Sequence, residues 1–333
     1  MQSANSIQIS VKEAFNIPVQ GKKVRGLDDK FNPAIPVKDD DYYFHPPMIR
    51  DLLAFIEMPG DDGYWLWGLH GTGKTSLVQQ TCARLNFGCY SVNGSSTLEV
   101  EDLLYQNVIH KNGTTGVELN SLAKAFCYGG IFLFNEIDLV DPSRLAALNE
   151  ILSGNTLIIP GIDEILHKHS NFRFIVTANT NGSYDDETGM DFGGTTTMNL
   201  AFMDRFIINE AEYLPANVEK GILINFAKKV YRDIHSIKQS DEDKVLAYAK
   251  KIDSIVERMI KVATESRLAA KNSTDFNRPI SMRGLKRWVQ KTIQFHGAPN
   301  AVKLSLSQAV TNGYPKHQKV AIEQFYADVF NAS

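Results

Sequence analysis

The sequence contains few cysteines and no long apolar segment. Its 333 residues include three cysteines, Cys82, Cys89 and Cys127, which are scattered and lack the spacing of metal ligands. Thiols of this kind are typical of small buried residues in a reducing compartment. No stretch approaches the length of a membrane span, and residues 1–10 are polar and lack the apolar region of a signal peptide. We therefore expect a cytoplasmic protein, of its own cell or of a host cell, with no membrane partner.

The chain also lacks a strongly basic segment. Its formal net charge is −3, and no block of five or six basic residues occurs. This argues against a nucleic-acid channel built by this chain alone, so a nucleic-acid partner is not expected. Hydrophobic residues make up 43% and charged residues 22% of the chain, as in ordinary soluble globular proteins. The length of 333 residues suffices for two domains with separate cores.

One segment carries a strong chemical signature. Residues 68–75 read G-L-H-G-T-G-K-T, the phosphate-loop pattern of two glycines enclosing four residues, followed by lysine and threonine. The apolar run at 64–67 before it predicts a buried strand, and residues 76–85 after it predict a helix. The glycines allow backbone N–H groups to turn toward a triphosphate at the positive end of the helix. The sequence therefore predicts a nucleotide-binding site.

The loop residues have separate roles. Lys74 would contact the β- and γ-phosphates, and the Thr75 hydroxyl would be a ligand of Mg²⁺. His70 stands where the pattern allows any residue, so it lies in the loop without a chemical role of its own. The residues expected to bind ATP are Gly68, His70, Gly71, Thr72, Gly73, Lys74, Thr75 and Ser76.

Alternating strand and helix patterns predict an α/β core with a parallel sheet, whose ligands bind at the carboxyl ends of the strands. The predicted strands are 64–67, 88–93, 131–134 and 172–178, and residues 182–197 are predicted as a loop. Helices are predicted at 216–237, 241–271, 281–296 and 316–330. We therefore expect an N-terminal arm (1–35), an α/β nucleotide-binding core (36–213) with a hairpin insert at about 105–118, and an all-helical lid domain (214–333).

Four polar residues complete a candidate catalytic group. Hydrolysis needs a carboxylate that orients water and positive charge near the transferred phosphoryl group. Glu136 follows one predicted strand and is placed to orient the water, and Asn179 follows the next and is placed to hydrogen-bond the γ-phosphate or that water. Arg205 is a candidate finger that acts on a neighbouring subunit's nucleotide. Arg283, at the start of a lid helix, could reach the nucleotide of its own subunit.

These motifs together resemble the AAA+ ATPases of the MoxR type, and within them the cobaltochelatase-like subgroup. The resembling stretches cover nearly the whole chain and include I-S-V-K-E-A-F-N-I, the phosphate loop, L-N-F-G-C-Y-S-V-N, T-A-N-T, G-T-T-T-M-N-L-A-F-M-D-R-F, Y-L-P and E-Q-F-Y-A-D-V-F. The resemblance implies a homo-hexameric ring with MgATP at the subunit interfaces. It also implies that Asn179 is sensor 1, Arg205 the arginine finger and Arg283 sensor 2.

The same resemblance implies protein partners. Members of this group work with a larger subunit that carries a metal-binding von Willebrand-type domain, and in cobaltochelatase a third, large subunit binds the corrin ring. The hairpin insert, marked by Asn112–Gly113, would face the pore of the ring or the partner.

Two residues depart from the family pattern. The Walker B motif of the family ends in Asp-Glu, whereas this chain has Asn135–Glu136. The aspartate normally holds a water of the Mg²⁺ shell, and Asn135 can still accept a hydrogen bond from that water but lacks the charge. We therefore expect weaker Mg²⁺ affinity with hydrolysis retained. Met282 replaces the proline that often precedes the sensor 2 arginine, a change that we expect to be tolerated.

Three weaker signals have two interpretations each. The aromatics at 42–44 either pack in the core under a helix, which we favour, or flank an adenine base. His167 and His169 suggest metal ligands, but a solvated hairpin is the favoured interpretation. Asp138 either restores part of the charge missing at Asn135 or serves as a cap or turn residue.

Two functions from different classes follow. The first is an ATP-driven ring motor, coupled to cobalt insertion into a corrin precursor or to metal insertion or remodelling on another partner. The second is a nucleotide-dependent scaffold in which Asn135 marks weakened hydrolysis. The presence of Glu136, Asn179, Arg205 and Arg283 argues against the scaffold. A nucleic-acid motor is a distant third.

Overall fold

A central sheet positions the phosphate loop. The computed structural model describes residues 5–28, 32–111, 113–182, 196–237, 241–273 and 275–331. The strands are β1 (Ser6–Ser10), β2 (Lys23–Leu27), β3 (Gly63–Trp67), β4 (Cys89–Asn93), β5 (Tyr105–Ile109), β6 (Thr115–Leu119), β7 (Gly130–Asn135), β8 (Thr156–Leu157), β9 (Leu166–His167), β10 (Phe172–Ala178) and β11 (Phe206–Glu210). The helices are α1 (Val11–Phe15), α2 (Pro46–Glu57), α3 (Lys74–Leu85), α4 (Val100–Leu104), α5 (Ser121–Tyr128), α6 (Leu148–Ser153), α7 (Leu200–Met203), α8 (Ala216–Ile234), α9 (Glu242–Asn272), α10 (Met282–Gln294), α11 (Ala301–Ala309) and α12 (Lys316–Phe330).

The chain divides into two compact units. The first comprises residues 1–69, 73–184 and 193–212, and the second comprises residues 70–72, 185–192 and 213–333. The loop predicted at 182–197 lies outside the described residues except for its two ends, and Asn112 lies outside them as well. Within the described ranges, no helix is long and apolar enough to cross a membrane.

Five parallel strands form the sheet of the first unit, in the order β11-β3-β10-β7-β4. β7 and β10 are buried along their whole length, which explains their continuous apolar sequences. The register pairs Ala178 with Trp67 and Asn93 with Asn135, so the strands end at one common edge. The predicted α/β fold with a parallel sheet is confirmed.

Four of these strands are predicted from the sequence, whereas β11 is not. This strand, F-I-I-N-E, lies at the edge of the sheet, and its Ile207 and Ile208 are partly exposed. A short edge strand with a polar end shows neither the continuous apolar run of a central strand nor a clean alternation. It nevertheless places residues 209–212 beside the end of β3, where the phosphate loop begins.

The N-terminal segment packs on this unit. β1 pairs with β2 in an antiparallel ladder, and Phe15, Val24 and Leu27 are buried in one cluster with residues of α2 and α3. Farther along, β5 and β6 form the antiparallel hairpin, with Gly113 at a φ of 83° in its turn. Ile109 in this hairpin is 80% exposed.

Helices α8 to α12 build the second unit around a buried apolar core that includes Val256, Met259, Leu285 and Trp288. The sequence analysis did not predict α11. A buried ion pair lies in this unit, where Arg267 donates through a terminal guanidinium N–H to Glu219 Oε2 at 2.9 Å. Arg267 Nε also donates to the Ile280 carbonyl at 3.0 Å, and the guanidinium carbon lies 4.0 Å from the centre of the Tyr213 ring.

Loss of one partner of this pair is expected to destabilise the second unit. Glu219→Ala leaves the Arg267 charge buried without its counter-ion, which costs about 3–5 kcal/mol of unfolding free energy. Urea unfolding followed by circular dichroism measures the change. The matched control is Lys220→Ala, because Lys220 forms ion pairs with Asp253 and Glu257 at the surface and its removal should barely move the midpoint. Equal urea midpoints for the two variants would contradict the larger contribution to unfolding free energy that is expected of the buried pair.

Candidate functional site

The phosphate loop connects the end of β3 to the start of α3. Gly68, Gly71 and Gly73 have φ values of 150°, 82° and 91°, which residues other than glycine rarely adopt. A Cβ at Gly68 would lie 2.3 Å from the carbonyl oxygen of Ala211, in the segment that follows β11. The loop therefore keeps its backbone free of side chains at the amino end of α3, as an anion-binding backbone requires.

Lys74 folds back over the loop. Its Nζ donates to the carbonyl oxygens of Gly68 at 2.5 Å and Leu69 at 3.2 Å, and to Asn179 Oδ1 at 3.3 Å. Burial lowers the pKa of Lys74 to about 8, although Asp138 and Glu136 nearby act to raise it. The structure thus brings together two of the predicted site residues, Lys74 and Asn179.

Asn135 is the centre of a hydrogen-bond network at the end of β7. Its Oδ1 accepts from the hydroxyl of Thr75 at 2.8 Å and of Thr177 at 3.2 Å. Its Nδ2 donates to Ser91 Oγ at 2.8 Å and to the Val92 carbonyl at 3.4 Å. Because Thr75 uses its proton toward Asn135, the lone pairs of the Thr75 oxygen remain available to a cation. The oxygen donors present therefore fit Mg²⁺, which prefers hard oxygen ligands.

Glu136 has a strained backbone. Its φ of 53° and ψ of 45° lie in the left-handed region, which costs a non-glycine residue about 1–3 kcal/mol. Its side chain is exposed. Gly94, which follows the neighbouring strand β4, is constrained as well, because a Cβ there would lie 2.3 Å from the Glu136 carbonyl oxygen. Strain of this kind is common where a side chain must be held in a functional direction.

Asp138 is a site residue whose role the sequence left open. It is fully buried, and its Oδ2 accepts from the backbone N–H groups of Asn179 at 2.7 Å and Thr180 at 3.1 Å. Burial raises the pKa of Asp138, and these two N–H donors and Lys74 act against that increase. The contacts favour the capping interpretation, because the carboxylate fixes the backbone that carries Asn179. In the sequence, its position two residues after Glu136 is the feature that indicates a place for Asp138 in the site.

Arg205 lies at the amino ends of the strands, whereas the phosphate loop lies at their carboxyl ends. Its backbone carbonyl accepts from Gly63 N at 2.8 Å, at the start of β3, whereas the loop follows the end of that strand. A strand rises about 3.3 Å per residue, so the five residues of β3 separate the two edges by roughly 13 Å or more. The guanidinium donates to the Ala201 carbonyl at 2.6 Å and to Ser153 Oγ at 3.4 Å. The structure does not bring Arg205 together with Lys74 in one subunit.

The second unit holds Arg283 and the loop residues 70–72. Arg283 lies in the first turn of α10, whose N-cap residue Ser281 accepts from Gly284 N at 3.2 Å. Within the same unit, the Tyr213 hydroxyl donates to the His70 carbonyl at 2.8 Å. A Cβ at Gly71 would lie 2.2 Å from Ser281 Cβ, so this position also requires glycine.

A cavity of about 240 Å³ opens near the carboxyl ends of β3 and β11. Nδ1 of His45 is buried there without a hydrogen-bond partner, and burial lowers the pKa of His45 despite the nearby Glu212. The lining residues are His45, Pro47, Met48, Asp51, Tyr64, Leu66, Asn209, Glu210 and Glu212. Phe44 packs edge-on against Phe15 and Tyr42, at 4.9 and 4.7 Å between ring centres, which favours the core interpretation for Phe44 and Tyr42. Tyr43 is exposed, so that interpretation is wrong for this residue.

The two histidines near β9 do not share a ligand geometry. His167 pairs with Thr156 in the short β8–β9 ladder. His169 Nδ1 instead accepts from Asn171 N at 3.0 Å. Among the residues with a described position, no group of three or more His, Cys, Asp or Glu side chains is arranged to hold a metal ion.

The lowered pKa of Lys74 predicts that nucleotide binding weakens at alkaline pH. Lys74 is charged below its pKa of about 8 and loses that charge as the pH rises through this value. If the positive charge of Lys74 is needed to bind the phosphates, the Kd for ATP should rise about tenfold from pH 7 to pH 9. Titration with a fluorescent ATP analogue measures it. Lys74→Arg keeps its charge over this range and should show no such rise; a similar rise in both proteins would contradict the assignment to Lys74.

Comparison with known proteins relates the core of the chain to a described family. Residues 63–206 match the family described as AAA domain (dynein-related subfamily). The chain is 31% identical to the aerobic cobaltochelatase subunit CobS of a Sinorhizobium species over 220 residues, 65% of this chain and 64% of that protein. It is 26% identical to the uncharacterized protein YojN of Bacillus subtilis over 176 residues, 52% of this chain and 55% of that protein. The chain thus spans between about half and two thirds of these relatives.

Solved structures share the fold. The structure of NtrX from Brucella abortus superposes with a TM-score of 0.50 at 15% identity and covers 85% of this chain and 61% of that chain. The resemblance inferred from the motifs is confirmed by the family match and by the similarity to CobS. The glycine-lined loop, the paired Thr75 and Asn135 and these matches together indicate that residues 63–206 form an AAA domain, in a chain that is similar to CobS.

Proposed function

We propose that this chain is a ring-forming motor, a homo-hexamer, that binds and hydrolyses MgATP at the interfaces between its subunits. The observation that carries the proposal is the position of Arg205, at the opposite edge of the sheet from Lys74. A guanidinium there meets a terminal phosphate only when the phosphate belongs to another subunit. The arrangement is that of an arginine finger supplied in trans.

The loop binds the nucleotide in this proposal. The N–H groups of residues 68–76 surround the phosphates, and Lys74 exchanges its bonds to the Gly68 and Leu69 carbonyls for bonds to the β- and γ-phosphates. Thr75, and Asn135 through a water, would hold Mg²⁺, which would neutralise phosphate charge. The cavity beside His45 has room for the base, and its buried, unpartnered Nδ1 offers a polar contact.

Hydrolysis then depends on four side chains. Glu136 accepts a hydrogen bond from the attacking water and orients it, and its exposed position leaves room for that water. Asn179 hydrogen-bonds the γ-phosphate or the water, held in place by Asp138. Arg205 of the neighbouring subunit and Arg283 of the lid stabilise the charge that develops on the transferred phosphoryl group.

Mixing two inactive variants tests the donation in trans. Arg205→Ala and Lys74→Ala should each lose most of their ATPase activity, the first through a missing finger and the second through a missing loop cation. In rings assembled from equal amounts of both, about a quarter of the interfaces join an intact loop to an intact finger, because contacts in a ring are head-to-tail. Steady-state phosphate release should therefore recover to about a quarter of the natural rate.

The controls of this experiment separate the alternatives. Each variant is also mixed with itself, and the proteins are combined without nucleotide before MgATP is added. A mixture as inactive as its components would contradict the donation in trans. Full turnover by Arg205→Ala alone, or a natural chain that stays monomeric with saturating MgATP, would overturn the motor.

The coupled task of the motor has two candidates, cobalt insertion into a corrin precursor and metal insertion or remodelling on another partner. The similarity to CobS, a subunit of aerobic cobaltochelatase, supports the first. In both cases the expected partner carries a von Willebrand-type metal-binding domain.

Trapping the ATP-bound ring identifies the partner. Glu136→Gln should bind ATP without hydrolysing it and should retain the partner in a pull-down from the native cell, whereas Lys74→Ala should retain none. Recovery of a large corrin-binding subunit together with a von Willebrand-type protein supports cobalt insertion, and recovery of the latter with a different client supports remodelling. If the natural chain releases phosphate no faster than Glu136→Gln, the scaffold function replaces the motor.

A further inference from the structure

Ser91 lies outside the phosphate loop and outside the candidate catalytic residues, yet it contacts the cation side of the site. It belongs to β4, the edge strand next to β7. Its Oγ accepts from Asn135 Nδ2 at 2.8 Å, the shorter of the two bonds that this amide nitrogen donates. Ser91 is therefore the strongest partner of the amide nitrogen that stands where the family has a carboxylate oxygen.

Two groups determine which way the amide of Asn135 faces. The Val92 carbonyl can only accept, so the atom 3.4 Å from it must be the nitrogen. On the other side, Glu136 N donates to Thr177 Oγ1 at 3.4 Å, which leaves the Thr177 proton for Asn135 Oδ1. Both constraints are long contacts. The short bonds are those to the hydroxyls of Ser91 and Thr75, and because a hydroxyl can pair with either end of an amide, they anchor the amide in the orientation that the Val92 carbonyl selects.

The direction of the amide matters for the cation. With Oδ1 toward Thr75, the threonine hydroxyl donates its proton and keeps its lone pairs for Mg²⁺. With the amide turned by half a rotation, N–H groups would point at the Thr75 oxygen and at the cation shell. Donor groups in that position occupy the lone pairs that a cation needs and repel the cation itself.

We propose that Ser91 is a positioning residue that keeps the Asn135 amide oxygen toward Thr75 and thereby sets the affinity of the site for Mg²⁺. This inference rests on the proposed MgATP site. It applies to a chain with asparagine at 135, because a carboxylate presents an oxygen to Thr75 in either orientation. An aspartate there would also face the Val92 carbonyl with an oxygen, so the surroundings are matched to the amide.

The experiment is a double-mutant cycle on Ser91 and Asn135. A fluorescent ATP analogue is titrated with Mg²⁺, and the Mg²⁺ concentration at half-maximal binding is measured for the natural chain, Ser91→Ala, Ser91→Thr, Asn135→Asp and Ser91→Ala/Asn135→Asp. Binding is read without turnover. Thermal unfolding without Mg²⁺ is measured in parallel to record purely structural effects.

The expected effect of Ser91→Ala on the half-maximal Mg²⁺ concentration differs between the two backgrounds. Ser91→Ala should raise the half-maximal Mg²⁺ concentration by about two- to tenfold, the range for losing one hydrogen bond, and Ser91→Thr should restore it by keeping the hydroxyl. Asn135→Asp should lower that concentration, because it adds a negative charge. In the Asn135→Asp background, Ser91→Ala should leave it unchanged or lower it.

Three outcomes distinguish a failure of the positioning role from a failure of the proposed MgATP site. A Ser91→Ala variant with the natural Mg²⁺ dependence, or with an equal increase in both backgrounds, would overturn the positioning role and leave the proposed function intact. An unchanged Mg²⁺ requirement in Asn135→Asp would refute the expected effect of the missing charge. Nucleotide binding by the natural chain with no Mg²⁺ dependence would overturn the proposed site, and the inference with it.

Discussion

The parallel pairing of β3, β10 and β7 is the constraint on which the site depends. It places Trp67, Ala178 and Asn135 at one edge of the sheet, although they lie far apart in the sequence. Each strand is followed at once by a functional segment: the loop after β3, Asn179 after β10 and Glu136 after β7. A slip of one residue in either pairing would turn Asn135 or Thr177 to the other face of the sheet and break the hydrogen bonds that Thr75 and Thr177 donate to Asn135. The burial of β7 and β10 makes such a slip costly.

Electrostatic balance at this edge differs from that of a site with two Walker B carboxylates. Asn135 contributes no charge, and Asp138 is buried behind the backbone of Asn179, where it supports Lys74 from a distance. The negative charge closest to solvent is that of Glu136, held by a left-handed backbone. In the proposed mechanism the charge is thus kept for Glu136, which would orient water, while the cation side would rely on the direction of the hydrogen bond from Thr75 to Asn135.

Much of this arrangement could be predicted from the sequence. Strands 131–134 and 172–178 were recognisable because buried parallel strands are apolar throughout, and the loop because its glycines have a fixed spacing. β11 could not be recognised, since its apolar residues are neither continuous nor alternating and two of them are exposed. The contacts of Ser91 and Asp138 could not be predicted either, because they depend on register and on side-chain direction, which motifs do not encode. Arg205 was identified as a candidate from its place in the chain, but its distance from the loop follows only from the strand order.

The position of Arg205 has a consequence for assembly. If Arg205 acts on the nucleotide of a neighbouring subunit, as proposed, the contact between copies joins two different surfaces, because the loop and the guanidinium lie at opposite ends of the strands. Such a heterologous contact closes into a circle only if the rotation between neighbours divides a full turn; with any offset along the axis it continues as a helical filament. The geometry that separates Arg205 from Lys74 within one chain thus allows two end states, closed and open. The offset of the contact along the axis decides between them.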